Sequence, residues 1–250
     1  MTGGTRGIGL ACARLYLEEG ARVTISGRSE ASRDAALATL GHAPPLHAHL
    51  ADRADADAAR QLVETVEAQH GPIDILVNSA GAAQRRPFAE LDAATWHAAL
   101  DAKFYPYIHV IDPLIKRMAG RGRGVIINVV GMGGKFPRVT HLAGGSANAA
   151  LMLATAGLAA AYGPSGIRVN AVNPSATITD RLVGGMRADA RQRGVSEEQA
   201  LREAAAQVPL GRLATAEEIA DTVVYLSSPR ASYVSGAILN VDGASSPAVV

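Results

Sequence analysis

The sequence predicts an α/β domain built on a doubly wound parallel sheet. Short β-branched runs, nearly continuously apolar, alternate with longer alanine-rich stretches along the whole chain. That is the pattern of strands buried on both faces and joined by right-handed crossover helices. A glycine-spaced segment, Gly3-x-x-x-Gly7-x-Gly9, runs directly into the first helical stretch. The chain has 250 residues, 48% of them hydrophobic, and shows no repeat or linker. One core, and a single domain over 1–250, is the expectation.

The first helix is expected over 8–19, straight after the glycines. A strand at 21–26 and a helix at 29–40 follow, then a strand at 45–50 and a helix at 54–69. The strand at 73–78 ends on Asn78. A helix at 93–118 starts after Asp92, a residue type that caps exposed backbone N–H groups, and carries Phe104, Ile108, Ile111 and Ile115 at helical spacing. Then come a strand at 124–130, a helix at 146–162 and a strand at 167–172. Helices at 178–193 and 197–207 interrupt the alternation, so 176–210 reads as a lid, with Leu182, Val183, Met186, Leu201 and Val208 as its apolar surface. The last helix, 216–227, opens on Thr215 and Glu218 in capping-box spacing, before a strand at 237–241.

In such a sheet the first strand precedes the glycine turn and lies in the centre. Here only Met1 precedes Thr2. The expectation is a first central strand truncated from the sequence, with about six apolar residues encoded upstream. The Val249 and Val250 pair is too short to fill that gap.

Composition narrows the function. Lys and Arg total 24 against 23 acidic residues, a net charge of +1, which gives no reason to expect a nucleic acid partner. Cys12 is the only cysteine, so neither an intrachain disulfide nor a cysteine-rich zinc site is available. His42, His47, His49, His70, His97 and His109 show no metal-ligand spacing, and no metal is expected. The apolar stretch 149–161 is interrupted by Thr155 and Gly157 and reads as a buried helix, too short to span a membrane. With no basic-then-apolar opening segment, a cytoplasmic protein is expected.

Glycines at a helix N-terminus let the backbone approach a phosphate, and the helix end attracts its charge. Gly3, Thr5, Arg6, Gly7, Ile8 and Gly9 therefore make a candidate pyrophosphate site. Arg28 stands after the 21–26 strand, where an acidic residue would hold a ribose 2′-hydroxyl and an arginine suits a 2′-phosphate; Arg6 reinforces it. NADP(H) is favoured over NAD(H). Asp52 follows the next strand, placed either to accept from an adenine amino group or to cap the following helix.

Thr2-Gly3-Gly4-Thr5-Arg6-Gly7-Ile8-Gly9, Leu76-Val77-Asn78-Ser79-Ala80-Gly81, Gly166-Ile167-Arg168-Val169-Asn170-Ala171-Val172-Asn173-Pro174, Pro209-Leu210-Gly211-Arg212 and Val241-Asp242-Gly243 occur in that order. With these motifs the chain resembles the short-chain dehydrogenase/reductase family over essentially its whole length. The resemblance implies a Rossmann fold, a nicotinamide cofactor and a homodimer or homotetramer packed through 93–118 and 146–162. It places Asn78, Ala80 and Gly81 beside the adenine ribose, and Pro174, Thr177 and Thr179 near the nicotinamide.

The family's chemistry rests on a Tyr-x-x-x-Lys pair, with a Ser upstream and an Asn on the preceding helix. Aligned on Asn148-Ala149-Ala150-Leu151, the Tyr position holds Gly144 and the Lys position Asn148. The Ser position, thirteen residues before Gly144, holds Gly131, and the Asn position holds Lys103. No Tyr-x-x-x-Lys occurs anywhere in the chain. His141, three residues before Gly144, is a candidate acid/base, or a loop histidine in solvent. Lys103 is either a buried base or anion anchor, or a surface lysine. Asn148 retains hydrogen bonding to a ribose but not the positive charge. Three functions follow from this inventory. The first is an atypical NADP(H)-dependent oxidoreductase acting on a small hydroxyl or carbonyl substrate. The second is a non-redox isomerase, lyase or dehydratase, and the third a non-catalytic cofactor-sensing partner subunit.

Overall fold

The computed structural model describes residues 1–41, 45–81 and 86–246; His42, Val249 and Val250 lie outside them. The strands are β1 (Val23–Gly27), β2 (Leu46–Leu50), β3 (Ile75–Asn78), β4 (Gly124–Val129), β5 (Ile167–Pro174) and β6 (Ile238–Val241). The helices are α1 (Gly7–Glu18), α2 (Glu30–Leu40), α3 (Ala56–His70), α4 (Ala93–Lys103), α5 (Tyr105–Arg121), α6 (Leu142–Tyr162), α7 (Asp180–Arg193), α8 (Glu197–Ala206) and α9 (Ala216–Ser227). All strand pairs are parallel, with Val23 opposite Leu46, Ile75 opposite Val125, Gly124 opposite Ile167 and Ala171 opposite Ile238. The doubly wound α/β expectation holds.

The sheet is divided at its centre. β1 pairs with β2, and β3, β4, β5 and β6 form a separate ladder. Between the two parts Thr2 makes single parallel bridges to Ser26 and Asn78. Its N–H donates to the Val77 carbonyl at 2.9 Å, and Ser79 N–H donates back to Thr2 at 3.2 Å. The Met1 amine donates to the Thr24 carbonyl at 2.7 Å. Beyond this two-residue contact a cavity of about 330 Å3 lies between β1 and β3, lined by Tyr16, Val23, Val66, Val77, Val110 and Leu114. It occupies the place where the sequence led us to expect a strand.

Helices cover both faces. One core layer joins Val63, Tyr107, Ile111, Leu114, Met118 and Leu151 to Ile126 and Val169. The other joins Cys12, Ala13, Tyr16, Ile219 and Val223 to Ile25, Ile127 and Val172. Side chains of Ser29, Asp55, Asp92, Thr179, Ser196 and Thr215 each accept a backbone N–H at a helix start, and Thr215 with Glu218 completes the capping box.

Most helix boundaries fall within about three residues of expectation, and two helices differ more. The stretch 93–118 forms two helices, broken at Phe104 (φ −83°, ψ −59°), and Pro106, which lacks an N–H and suits a first helical turn, stands in the first turn of the second, although Pro113 is accommodated inside it. The helix expected from 146 begins at Leu142. Its first turn holds Gly144 and Gly145, whose poor helix propensity hid it. A side chain at Gly145 would sit 2.6 Å from the Gly133 carbonyl, so glycine permits this turn to pack on the neighbouring loop. With its 3₁₀ extension, Leu142–Ser165 is long and apolar enough to cross a membrane by length and composition, and half of its most apolar stretch is buried in the fold.

Arg168 on β5 donates to four backbone carbonyls, those of Leu226 at 2.7 Å, Val234 at 3.3 Å, and Ser227 and Ser228 at 3.1 Å. It satisfies the C-terminal end of α9. Arg168→Met should therefore cost about 2–3 kcal/mol in urea unfolding, by leaving carbonyls unpaired, without altering ligand affinity.

Candidate active site

A cleft of about 1090 Å3 lies at the carboxyl ends of the strands, where open α/β sheets bind ligands. At one end the backbone of Gly3, Thr5, Arg6, Gly7 and Ile8 forms its wall as the chain turns into α1. The Gly3 N–H donates to the Ser26 carbonyl at 3.1 Å, which ties this turn to β1. Gly9 lies behind the wall. A Cβ there would stand 2.1 Å from the Gly3 carbonyl oxygen, so the turn closes only on glycine. Arg28, Asp52, Ala80 and Gly81 line the adjoining wall. Asp52 Oδ1 also accepts the Ala54 N–H at 3.2 Å, so it acts as a turn cap while facing the cleft.

Arg53 is a residue that the sequence reading passed over. It is 6% exposed and lines the same cleft. Its Nη1 donates to Ser26 Oγ at 3.2 Å and to the Ala51 carbonyl at 3.4 Å, and its Nε, buried, has no partner. Burial, then the charge of Arg28, lowers its pKa. Arg6, Arg28 and Arg53 thus put positive charge around the N-terminus of α2, whose Ser29 and Ser32 also face the cleft.

At the other end stand Lys103, His141, Gly144 and Asn148, with Pro174, Thr179 and Arg181. Lys103 is the last residue of α4 and is 8% exposed. The surface reading of this lysine is therefore overturned, because the turn into α5 directs its side chain inward over Tyr107. Its Nζ donates to Tyr107 Oη at 3.0 Å and to the Val129 carbonyl at 3.1 Å. Tyr107 donates its own hydroxyl to Val129 at 2.7 Å. Burial, then the charge of Arg181, lowers the Lys103 pKa from 10.5 to about 7. The four-residue spacing of Lys103 and Tyr107 was a visible signal, concealed by the helix break between them.

Asn148, 5% exposed on α6, has a buried Oδ1 with no hydrogen-bond partner. Gly131 lies beside it, since a Cβ on Gly131 would be 3.3 Å from Asn148 Nδ2. Gly131 has φ +133°, so a serine at this position would be strained as well as crowded. His141 is the N-cap residue of α6, and its carbonyl accepts the Gly145 N–H at 2.7 Å. The solvent-loop reading of His141 gives way to a half-buried residue lining the cleft.

Two expected cofactor residues are hydrogen-bonded within the fold. Asn78 is fully buried, accepts from Thr2 Oγ1 at 2.9 Å and donates to Asn128 at 3.1 Å. Thr177 is buried and donates to the Ser175 carbonyl at 3.2 Å. Neither lines the cleft. Among the described residues no three His, Cys, Asp or Glu side chains come together as metal ligands.

A glycine wall that a single Cβ would close, a cationic pocket at a helix N-terminus and an unpaired buried acceptor further along fit an extended dinucleotide. These features define a dinucleotide-binding α/β protein. The model of the Enoyl-(Acyl carrier protein) reductase family matches residues 3–245, and the chain belongs to the short-chain dehydrogenase/reductase family. It is 35% identical over 244 residues to the cis-4-hydroxycyclohexanecarboxylate dehydrogenase of Sinomonas cyclohexanicum, covering 97% of this chain and 94% of that one. A crystal structure of actinorhodin polyketide ketoreductase with NADPH superposes with a TM-score of 0.92 at 31% identity, covering 97% of this chain and 94% of that one. The NADPH-bound short-chain oxidoreductase of Pseudomonas aeruginosa, described as containing an atypical catalytic center, gives 0.89 at 31% identity, covering 99% and 96%.

Proposed function

We propose that this chain is an NADP(H)-dependent oxidoreductase of small hydroxyl or carbonyl compounds that handles the substrate proton with Lys103. The observation that carries the reading is one continuous cleft, running from the glycine wall and its arginines to a buried amine. Gly3 to Gly9 would hold the pyrophosphate. Arg6 and Arg28 would hold the 2′-phosphate, and Asn148 Oδ1 would accept from a ribose hydroxyl. Bound NADPH would supply a hydride to the substrate carbon. Lys103, positioned by Tyr107 and the Val129 carbonyl, donates a proton to the developing alkoxide and recovers one from solvent. His141 is the alternative donor on the same cleft. The relatives' NADPH and the hydroxy acid in the Sinomonas enzyme's name support the cofactor and the substrate class.

We further propose that the start of α7 and the α7–α8 pair close over the substrate as a lid. The protein would work in the cytoplasm as a homo-oligomer through α4, α5 and α6, where Tyr105 and Leu153 are exposed. The absence of the family's Ser, Tyr and Lys at 131, 144 and 148, and of its Asn at 103, also suits a cofactor-sensing subunit. NADPH binding with no turnover on any carbonyl would favour that second reading.

Calorimetric titration tests the cofactor assignment. NADPH should bind more tightly than NADH, and Arg28→Ala should weaken NADPH by about 10- to 100-fold through loss of a charged phosphate contact while leaving NADH unchanged. Equal affinities in the unaltered protein would contradict it.

A further inference from the structure

Lys103 has a second chemistry open to it. An uncharged amine carries two N–H bonds and one lone pair. Here two acceptors, Tyr107 Oη at 3.0 Å and the Val129 carbonyl at 3.1 Å, take both N–H groups. Tyr107 commits its only proton to Val129 at 2.7 Å, so it has none to offer the lone pair. The remaining tetrahedral direction is left for the cleft, which Lys103 lines. No carboxylate among the described residues forms an ion pair with it, so the charged form has only the Tyr107 ring, 4.8 Å from Nζ, and these two oxygens to offset its burial. Gly144, which has no side chain, and Asn148 line the same cleft.

We propose that Lys103 forms an imine with a small aldehyde or ketone bound in this cleft. The Nζ lone pair makes the C–N bond as the carbonyl π electrons move to oxygen. Both Nζ hydrogens pass to that oxygen, which leaves as water, and the product is a C=N bond. No oxidant or reductant is consumed. The imine acidifies the adjacent C–H, which gives access to proton removal or elimination beside the carbonyl, with His141 on the same cleft. This activity shares the cavity with the proposed reductase but does not depend on hydride transfer. Burial lowers the amine to about 7, which supports a nucleophilic form near neutrality.

Reductive trapping tests it directly. The folded protein is incubated with propanal and cyanoborohydride near neutral pH, digested, and its amines mapped by mass spectrometry. The chain has three lysines, Lys103, Lys116 and Lys135, and the Met1 amine, so assignment is unambiguous. Lys116 is an internal reference, exposed and ion-paired to Asp112 at 2.7 Å. Lys103 should gain the propyl group at least about tenfold faster than Lys116 or Lys135, and lose that advantage in urea. Lys116→Arg should leave the labelling of Lys103 intact, and Lys103→Arg should abolish the fast phase. Labelling of Lys103 no faster than the other lysines, or fast labelling confined to Met1, would overturn the proposal. Should NADPH still bind in that case, the proposed function stands without it.

Discussion

Lys103→Met is expected to lower carbonyl reduction by about 10²–10⁴-fold, the range set by loss of a general acid, while making the protein more stable at low pH. The two effects share one cause. Burial holds the folded-state pKa near 7, well below the ordinary 10.5. Between those values the unfolded chain binds a proton that the folded chain has released, so stability rises with pH through that window. Below it, the folded protein carries a buried ammonium that no carboxylate offsets. Methionine removes the charge and keeps the stem, so the gain in urea unfolding should be larger at pH 6 than at pH 9.5. Wild-type reduction should fall as pH rises through about 7, because the acid form of Lys103 is lost. Oxidation of the alcohol should rise over the same interval. Asp101, His141, Asp180 and Arg181 face the same cleft, so the assignment rests on the limb disappearing in the variant. A variant that keeps both its rate and its pH profile would remove Lys103 from the reaction.

Gly9→Ala should abolish NADPH binding and destabilise the fold by about 2–3 kcal/mol. The new Cβ would lie 2.1 Å from the Gly3 carbonyl oxygen and 3.2 Å from Gly4 Cα, so α1 must move away from the turn that it closes. That movement displaces the phosphate wall and the α1 packing against α9 together. Gly157→Ala is the matched control. It lies inside α6 with no atom within 4 Å of its Cβ position, and alanine there should stabilise by about 0.5–1 kcal/mol with unchanged binding. Equal behaviour of the two variants would show that the glycine turn is not a constrained element.

Much of this architecture was legible in the sequence because it depends on local periodicity. Apolar runs located the strands, and Thr215 with Glu218 and Asp92 located helix starts. The glycine spacing located the turn that walls the cleft. The parts that escaped depend on orientation. The apolar stripe at 104, 108, 111 and 115 continues across the break at Phe104, so one helix was expected where two exist, although Pro106 marked the second start. The environment of Lys103 is fixed by that break, since a long side chain suits either water or a cavity until the helix direction is known. Arg53 escaped because its burial follows from the path of the chain after β2, which no periodicity records. The division of the sheet was not read as such, and the cavity between β1 and β3 lies where a first strand was expected.

The central claim is that a dinucleotide cleft with Gly144 at the family's tyrosine position, and Lys103 at its asparagine position, still performs redox chemistry. The most direct measurement uses NADPH deuterated at the transferable position, offered with a panel of ketones that includes cyclic keto acids. The account predicts deuterium on the carbinol carbon of the product alcohol, with the yield falling steeply in Lys103→Met. Tight NADPH binding with no deuterium transferred to any ketone would contradict it.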